Sequence, residues 1–167
     1  MHRVLVAGST GSGKTTMARE LSARYGLPRF ELDALYHGPG WVKRPEFEAD
    51  VKEFSTLPAW VTEDQYHRLL GDTLWRRADT VVWLDMPLHV VMSRVLRRSV
   101  GRAITRKELW NGNRERWREW LQPDHPIRWA WSEYDRKRAQ VLEYAGKHPH
   151  VNLIHLTAAV RPRRLFG

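Results

Sequence analysis

The chain contains no cysteine among its 167 residues, which excludes both a disulfide framework and a thiolate metal site. No apolar run in it is long enough to cross a membrane. Its eight histidines show no metal-ligand spacing, such as two histidines four residues apart beside an acid, so no zinc site is expected. The first predicted strand follows Met1 and His2 directly and leaves no room for a signal peptide. We therefore expect a cytoplasmic protein.

Acidic residues are scarce in the last part of the chain. Residues 94–167 carry 17 lysines and arginines but 7 aspartates and glutamates, which accounts for the whole excess behind the net charge of +9. One interpretation is a surface that attracts nucleic acid. The other is that arginines gather around a triphosphate and a phosphoryl group in transfer. The length and a hydrophobic fraction of 42% indicate one globular domain over residues 1–167.

A glycine-rich segment at residues 8–15 reads G-S-T-G-S-G-K-T, which is the phosphate-loop pattern G-x-x-x-x-G-K-[ST]. An apolar run precedes it and a helical pattern follows it, as this motif requires. Its backbone N–H groups are expected to turn inward at a helix N-terminus and bind anionic oxygens, with Lys14 on the β- and γ-phosphates. The predicted nucleotide-binding residues are Gly8, Ser9, Thr10, Gly11, Ser12, Gly13, Lys14, Thr15 and Thr16.

Strand and helix patterns alternate along the chain. Strands are predicted at residues 3–7, 29–32, 59–62, 80–84 and 151–156, and helices at 14–25, 45–51, 68–77, 88–98, 114–121 and 127–145, with a loop at 34–41. This alternation indicates an α/β fold with a parallel sheet and right-handed crossovers. Ligands of such sheets bind at the carboxyl ends of the strands. The phosphate loop, Asp33, Glu63 and Asp85 each follow a predicted strand, so we expect them to converge on one crevice.

The acids at these strand ends are candidates for phosphoryl-transfer chemistry. Glu63 or Asp85 is predicted to bind Mg²⁺ together with the Thr15 hydroxyl, because magnesium prefers oxygen ligands. Asp33 is predicted to accept a proton from an acceptor hydroxyl, or to orient it. The alternative for each of the three acids is that it caps the helix that follows it.

Arginines supply the charge that a transferred phosphoryl group needs. Arg94 shares a helix face with Arg97 or Arg98, so at least one such pair can point at the nucleotide. The basic segment that follows suits a mobile lid, whose candidate ligands are Arg102, Arg106, Arg114 and Arg118. The alternative for each of these arginines is a solvated surface.

Tryptophans are abundant, with nine in the chain. Trp41 and Trp110 lie in predicted loops, where they either stack on a flat acceptor or fix the loops by local packing. Tyr66 lies in the segment after strand three and is a further candidate for acceptor binding.

The chain resembles the adenylate-kinase-like P-loop proteins often labelled DNA topology modulation proteins. The matching blocks are the phosphate loop, L-D-A-L at 32–35 leading to P-G-W at 39–41, the strand end at 60–66, A-D-T-V-V-W-L-D at 78–85 and L-W-N-G-N-R-E at 109–115. The resemblance implies a core of nucleoside-monophosphate-kinase type with three layers, sheet order 2-3-1-4-5, a small helical lid near 99–118, and Glu63 as the acid beside the phosphate loop.

Two departures from that family concern the acceptor side. Family members tend to read D-G-N-Y where this chain has E-D-Q-Y at 63–66, so a glycine is replaced by a carboxylate. The chain also lacks the D-G-F-P-R stretch of true adenylate kinases.

The sequence predicts an ATP- (or GTP-) and Mg²⁺-dependent phosphotransferase that acts on a nucleotide or another small acceptor, as a monomer or homodimer. The predicted catalytic residues are Lys14, Asp33, Glu63, Arg94 and Arg98, and the predicted acceptor-binding residues are Asp33, Trp41, Tyr66, Arg102, Arg114 and Arg118. The alternative is a nucleotide-dependent regulatory protein that binds nucleic acid.

Overall fold

The structure is a computed structural model that describes residues 1–105 and 126–158, without the side chains of 99, 102–105 and 126–130. Strands are β1 (Arg3–Gly8), β2 (Arg29–Phe30), β3 (Trp60–Glu63), β4 (Thr80–Leu84) and β5 (Asn152–Leu156). Helices are α1 (Lys14–Tyr25), α2 (Leu32–Tyr36), α3 (Phe47–Ser55), α4 (His67–Leu70), α5 (Thr73–Arg77), α6 (Leu88–Thr105) and α7 (Pro126–Lys147). None of these helices carries an apolar stretch that could span a membrane.

The five strands form one parallel sheet in the order β2-β3-β1-β4-β5, which confirms the predicted α/β class and strand order. In the register of the sheet, Val6 lies beside Glu63 and Gly8 lies beside Leu84. The end of β1, which leads into the phosphate loop, therefore lies between the ends of β3 and β4. This register brings the predicted site residues to one edge of the sheet.

Apolar side chains on both faces of the sheet produce the three layers. Along β1, Val4 and Val6 face α1 and α6, whereas Leu5 and Ala7 face α3, α5 and α7. Because both faces are covered, β4 is buried at all five positions and does not alternate between buried and exposed residues, as expected of a buried parallel strand. Its predicted bounds, 80–84, are those of the structure.

The segment after β2 differs from the prediction. The strand ends at Phe30, and Asp33 lies in helix α2 instead of at a strand end. β2 is an edge strand paired only with β3, so little holds it beyond Phe30. Leu32 is buried against the α3 side of the core, and turning the chain into a helix achieves that burial. The loop predicted at 34–41 is instead the rest of α2 and a 3₁₀ turn at Pro39–Trp41.

Several predicted helices also have different bounds, and the helix predicted at 45–51 is α3, at Phe47–Ser55. The helix predicted at 68–77 is two helices, α4 and α5, because Gly71 between them takes φ 54° and ψ −129°, outside the helical region. Helix α6 continues to Thr105 instead of stopping at residue 98, so the first residues of the predicted lid belong to α6. The remainder of that lid, with the helix predicted at 114–121, lies outside the described residues.

Candidate phosphate-binding and acceptor site

The phosphate loop connects the end of β1 to the first turn of α1 by a path that depends on glycine. Gly11 has φ +84°, and a Cβ there would lie 2.6 Å from Val95 Cγ2 and 2.9 Å from the Val91 carbonyl oxygen on α6. Gly8, at φ +144°, likewise leaves no space for a side chain beside the Leu84 carbonyl. The loop therefore packs directly on α6 and β4, and these contacts constrain its shape.

Lys14 begins α1 with its ammonium group inside the curve of the loop. Its Nζ donates to the carbonyl oxygens of Gly8 and Ser9, each at 3.0 Å. Burial lowers the pKa of Lys14 to about 8, an effect that the nearby charge of Glu63 opposes. Ser12 Oγ is also buried in this loop and has no hydrogen-bond partner among the described residues. An anion bound in the loop would stabilise the ammonium and offer a partner to buried donors such as this hydroxyl.

The Thr15 hydroxyl and the Glu63 carboxylate lie side by side at the mouth of the loop. Thr15 Oγ1 donates to Glu63 Oε2 at 3.2 Å, and Glu63 is buried. Burial raises the pKa of Glu63, while the positive charge of Lys14 and the bond from Thr15 act in the opposite direction. These oxygen atoms suit Mg²⁺, which is usually held by one or two protein oxygens together with phosphates and water. Within residues 1–105 and 126–158, no three acidic, histidine or cysteine side chains converge to hold a metal by themselves.

Asp85, the alternative metal ligand, is engaged elsewhere. Arg138 of α7 donates to both of its carboxylate oxygens, at 2.7 and 3.1 Å, and His155 Nε2 lies 3.1 Å from Oδ2. These contacts occupy both carboxylate oxygens of Asp85, whereas the Thr15 hydroxyl contacts Glu63. Of the two acids, the geometry therefore favours Glu63 for a metal.

Arg94 of α6 contacts the phosphate loop. It is half-buried, and its Nη1 donates to the Ser12 carbonyl oxygen at 2.9 Å. Thr16 lies exposed in the first turn of α1, and Arg98 lies exposed one turn beyond Arg94. The side chain of Arg102 lies outside the described residues. The same holds for all of Arg106, Trp110, Arg114 and Arg118.

The acceptor side of the crevice is built around Asp33. The Tyr66 hydroxyl donates to Asp33 Oδ1 at 2.7 Å and lies 3.3 Å from His37 Nε2. Burial and the negative charge of Asp33 raise the pKa of Tyr66, so the phenol remains a hydrogen-bond donor. Burial also lowers the pKa of His37, which favours the neutral imidazole. Tyr66 has φ +57°, an uncommon conformation for a residue other than glycine, and this backbone aims its ring at Asp33.

Trp41 lies at the outer end of the same crevice. Its ring makes an edge-to-face contact with His37, with 5.1 Å between the ring centroids, and 39% of the residue is exposed. Trp41 has φ +63°. Among the described residues other than glycine, Trp41 and Tyr66 are the two that have a positive φ. Asp33, Tyr66, His37 and Trp41 are thus connected by a continuous series of contacts, and their role in acceptor binding stays a prediction.

A cluster of buried charged residues lies near this site and was not predicted from the sequence. Lys137 of α7 donates to Asp64 Oδ2 at 2.9 Å and to the Asp64 carbonyl oxygen at 3.0 Å, and its Nζ also contacts His67 Nε2. Trp75 Nε1 donates to the other carboxylate oxygen at 3.1 Å. Although burial opposes ionisation, the positive Lys137 and the bond with His67 hold the pKa of Asp64 well below its usual range.

This cluster explains the carboxylate that departs from the related D-G-N-Y pattern. Asp64 is 2% exposed and faces the buried partners, not the crevice. The charge of Lys137 also acts to lower the pKa of Lys14, so the cluster lies close to the phosphate loop. The sequence signal for it is the extra acid itself, since a carboxylate directly after a buried strand needs a cation. Which cation it would be is not visible from sequence, because α7 is basic along much of its length.

In the described fold, the phosphate loop follows the first strand and acids lie at neighbouring strand ends, and solved kinase structures share this fold. No protein-family model matches the chain, and no curated protein matches it. Three similar solved structures share 16–19% sequence identity with it.

The three structures are all of kinases. A shikimate kinase from Acinetobacter baumannii in complex with shikimate has a TM-score of 0.58 at 16% identity, over 99% of this chain and 88% of that one. A gluconokinase from Sinorhizobium meliloti 1021 has a TM-score of 0.55 at 17% identity, over 98% and 86%. A sugar kinase from a Janibacter species has a TM-score of 0.51 at 19% identity, over 99% and 90%.

Proposed function

We propose that this protein is an ATP- and Mg²⁺-dependent phosphotransferase that transfers the γ-phosphoryl group to a small-molecule hydroxyl. The observation that carries the proposal is the convergence, at one sheet edge, of Lys14, the Thr15–Glu63 pair and Asp33. The similarity of the fold to three solved kinase structures supports it. Phosphoryl transfer depends mainly on positioning and charge neutralisation, and these are the tasks that such residues perform.

The nucleotide end of the proposed site holds the triphosphate. The loop amides and Lys14 bind its phosphate oxygens, with the ammonium moving from the carbonyls of Gly8 and Ser9. Thr15 and Glu63 would hold Mg²⁺, which when bound neutralises charge on the β- and γ-phosphates. Arg94, fixed on the Ser12 carbonyl, adds a positive charge beside the loop.

The acceptor end of the proposed site orients the nucleophile. The acceptor hydroxyl donates to the Asp33 carboxylate, its oxygen forms a bond to the γ-phosphorus, and the bond from that phosphorus to the β-phosphate oxygen breaks. ADP leaves with the electron pair, and the proton of the hydroxyl passes to Asp33. Tyr66 holds one oxygen of Asp33, so the other remains directed to the hydroxyl.

The test is ADP release from ATP-Mg²⁺ in the presence of candidate acceptors. The panel contains nucleoside monophosphates, nucleosides, sugars, antibiotics, shikimate and gluconate. Lys14→Ala is the blank, and Lys52→Ala, which removes an exposed lysine on α3, is the matched control. Stimulation by an acceptor with the control but not with the blank supports a kinase. A flat panel with tight ATP binding contradicts it and favours the alternative, a nucleic-acid-binding regulator, which is then tested by salt-dependent binding to a duplex.

A further inference from the structure

Asp33, Tyr66 and His37 form a continuous row of hydrogen-bonding groups, which we call the Asp33–Tyr66–His37 array. The Tyr66 hydroxyl oxygen is in the middle of the row, 2.7 Å from Asp33 Oδ1 and 3.3 Å from His37 Nε2. Asp33 is the proposed proton acceptor of the transfer. His37 reaches the Asp33 carboxylate by way of the Tyr66 hydroxyl, so an effect of the imidazole along this row is transmitted by that hydroxyl.

Helix α2 brings the two ends of the array together. His37 follows Asp33 by four residues, and its backbone N–H donates to the Asp33 carbonyl oxygen at 3.0 Å. Side chains at this spacing are neighbours on the surface of a helix. The Tyr66 hydroxyl comes from the segment after β3 and contacts both side chains, so the array connects α2 to the end of β3.

The ring of Tyr66 is held in place by packing and by its backbone. It stacks on Tyr36 with 4.4 Å between the ring centroids, and it meets Phe47 at 5.1 Å. Its backbone has φ +57° directly before α4. A left-handed conformation is strained for a large side chain and persists only where the surrounding structure fixes it. The Tyr66 hydroxyl is therefore constrained to stay beside Asp33 and His37.

The available hydrogens decide which group donates in each contact of the array. A carboxylate has no hydrogen of its own, so the 2.7 Å bond uses the single hydroxyl hydrogen of Tyr66. The 3.3 Å contact then requires a hydrogen on His37 Nε2. Burial lowers the pKa of His37, although the charge of Asp33 and a bond to the Trp41 backbone act in the opposite direction. At about pH 7.5 the imidazole is therefore neutral and has one hydrogen to place.

We propose that His37 is a positioning residue for the transfer: its Nε2–H donates to the Tyr66 oxygen, so that Tyr66 donates to Asp33 and the second Asp33 oxygen is directed to the acceptor hydroxyl. This inference rests on the proposed kinase function. In the other neutral tautomer, Nε2 would be an acceptor, and Asp33 and His37 would compete for the one hydrogen of Tyr66. The Nε2–H form removes that competition.

The first experiment locates the ring hydrogen of His37 and needs no acceptor. Long-range ¹H–¹⁵N spectra of labelled protein at about pH 7.5 distinguish a protonated ring nitrogen from a bare one. Comparison with His37→Gln identifies the His37 signals among those of the eight histidines. We expect the hydrogen on Nε2 in wild type, and a shift of population towards Nδ1–H in Tyr66→Phe. A hydrogen on Nδ1 in wild type, or a tautomer that does not respond to Tyr66→Phe, would overturn the inference.

The second experiment measures turnover with the acceptor that most stimulates ADP release, against the Lys14→Ala blank. Tyr66→Phe should lower kcat by about tenfold, the scale of a lost hydrogen bond to a charged group, while the KM for ATP stays within about twofold. His37→Phe keeps a ring against Tyr36 and should lower kcat by about threefold or more. His37→Gln places an amide N–H near the position of Nε2 and should recover most of that loss.

The double variant separates positioning through Tyr66 from a general packing role. Because His37 acts through the Tyr66 hydroxyl, Tyr66→Phe combined with His37→Phe should have the kcat of Tyr66→Phe alone, within about twofold. Tyr36→Phe removes a hydroxyl from the same stack of rings and is the matched control. Losses that multiply in the double variant, an unchanged kcat in His37→Phe, or an equal loss in Tyr36→Phe would each overturn the role of His37.

The inference and the kinase function fail in different ways. If no acceptor stimulates ADP release above the blank, the kinase function is refuted and the positioning role falls with it, whatever the tautomer of His37. If an acceptor does so but His37→Phe turns over like wild type, only the role of His37 is refuted.

Discussion

The pKa of Lys14 makes nucleotide affinity depend on pH in a defined direction. Burial lowers that pKa to about 8. Contact with phosphate oxygens favours the charged form, so a nucleotide binds the protonated lysine and raises its pKa. Above pH 8 the free protein must take up a proton before it binds, and affinity falls as the pH rises.

The size of this effect follows from the protonated fraction of Lys14. With a pKa of about 8, the fraction falls from about 0.9 at pH 7 to about 0.1 at pH 9. The dissociation constant for ATP should therefore rise about tenfold between these two pH values, and binding at pH 8 should take up about half a proton. Calorimetry in two buffers of different ionisation enthalpy measures both quantities.

The control for this experiment is Lys14→Met, which keeps the ionisation of the nucleotide itself but removes the lysine. The variant should bind more weakly, and its affinity should change far less across the same pH range. A wild-type dissociation constant that stays flat from pH 7 to pH 9 would refute the reasoning. An equal slope in Lys14→Met would assign the dependence to another group.

Three further predictions concern neighbouring residues. Lys137→Met leaves the carboxylate of Asp64 buried without its cation and should lower the free energy of unfolding by about 3–5 kcal/mol in urea denaturation, whereas adding Asp64→Asn to it should recover part of the loss. Asp33→Asn should leave ATP affinity nearly unchanged and lower kcat by about a hundredfold, the scale of a lost proton acceptor; equal losses in both would argue against an acceptor-side role. Gly11→Ala places a Cβ 2.6 Å from Val95 Cγ2 at φ +84°, so ATP affinity measured by calorimetry should fall by about tenfold or more, and wild-type affinity would show that the loop can shift.

The sheet was predictable because local pattern and burial agree there. β4 is apolar without alternation, and its bounds could be read directly from sequence. The phosphate loop was predictable because the backbone path excludes most side chains at its glycines. Other features depend on tertiary packing and not on the local sequence. Asp33 lies on a helix because Leu32 must reach the core, and no local signal distinguishes that from a continued edge strand.

Contacts distant in sequence were beyond prediction. Asp64 is separated from Lys137 by 73 residues and Asp85 from Arg138 by 53. Each acid has several basic residues of α7 within plausible reach, and only the packing of that helix selects the partner. The choice between Glu63 and Asp85 as a metal ligand likewise depends on which of the two acids is already paired with a basic residue of α7.

Three of the polar contacts of helix α7 connect it to the ends of two strands of the sheet. Tyr134 donates to the Met86 carbonyl oxygen at 2.8 Å, beside the pair of Arg138 with Asp85, while Lys137 holds Asp64. These contacts connect the ends of β3 and β4, the strands on either side of β1, through a single helix. The geometry of the proposed nucleotide site is therefore constrained by a helix that lies outside the loop itself. Substitutions on α7 are expected to change the affinity for a nucleotide without altering any residue of the phosphate loop.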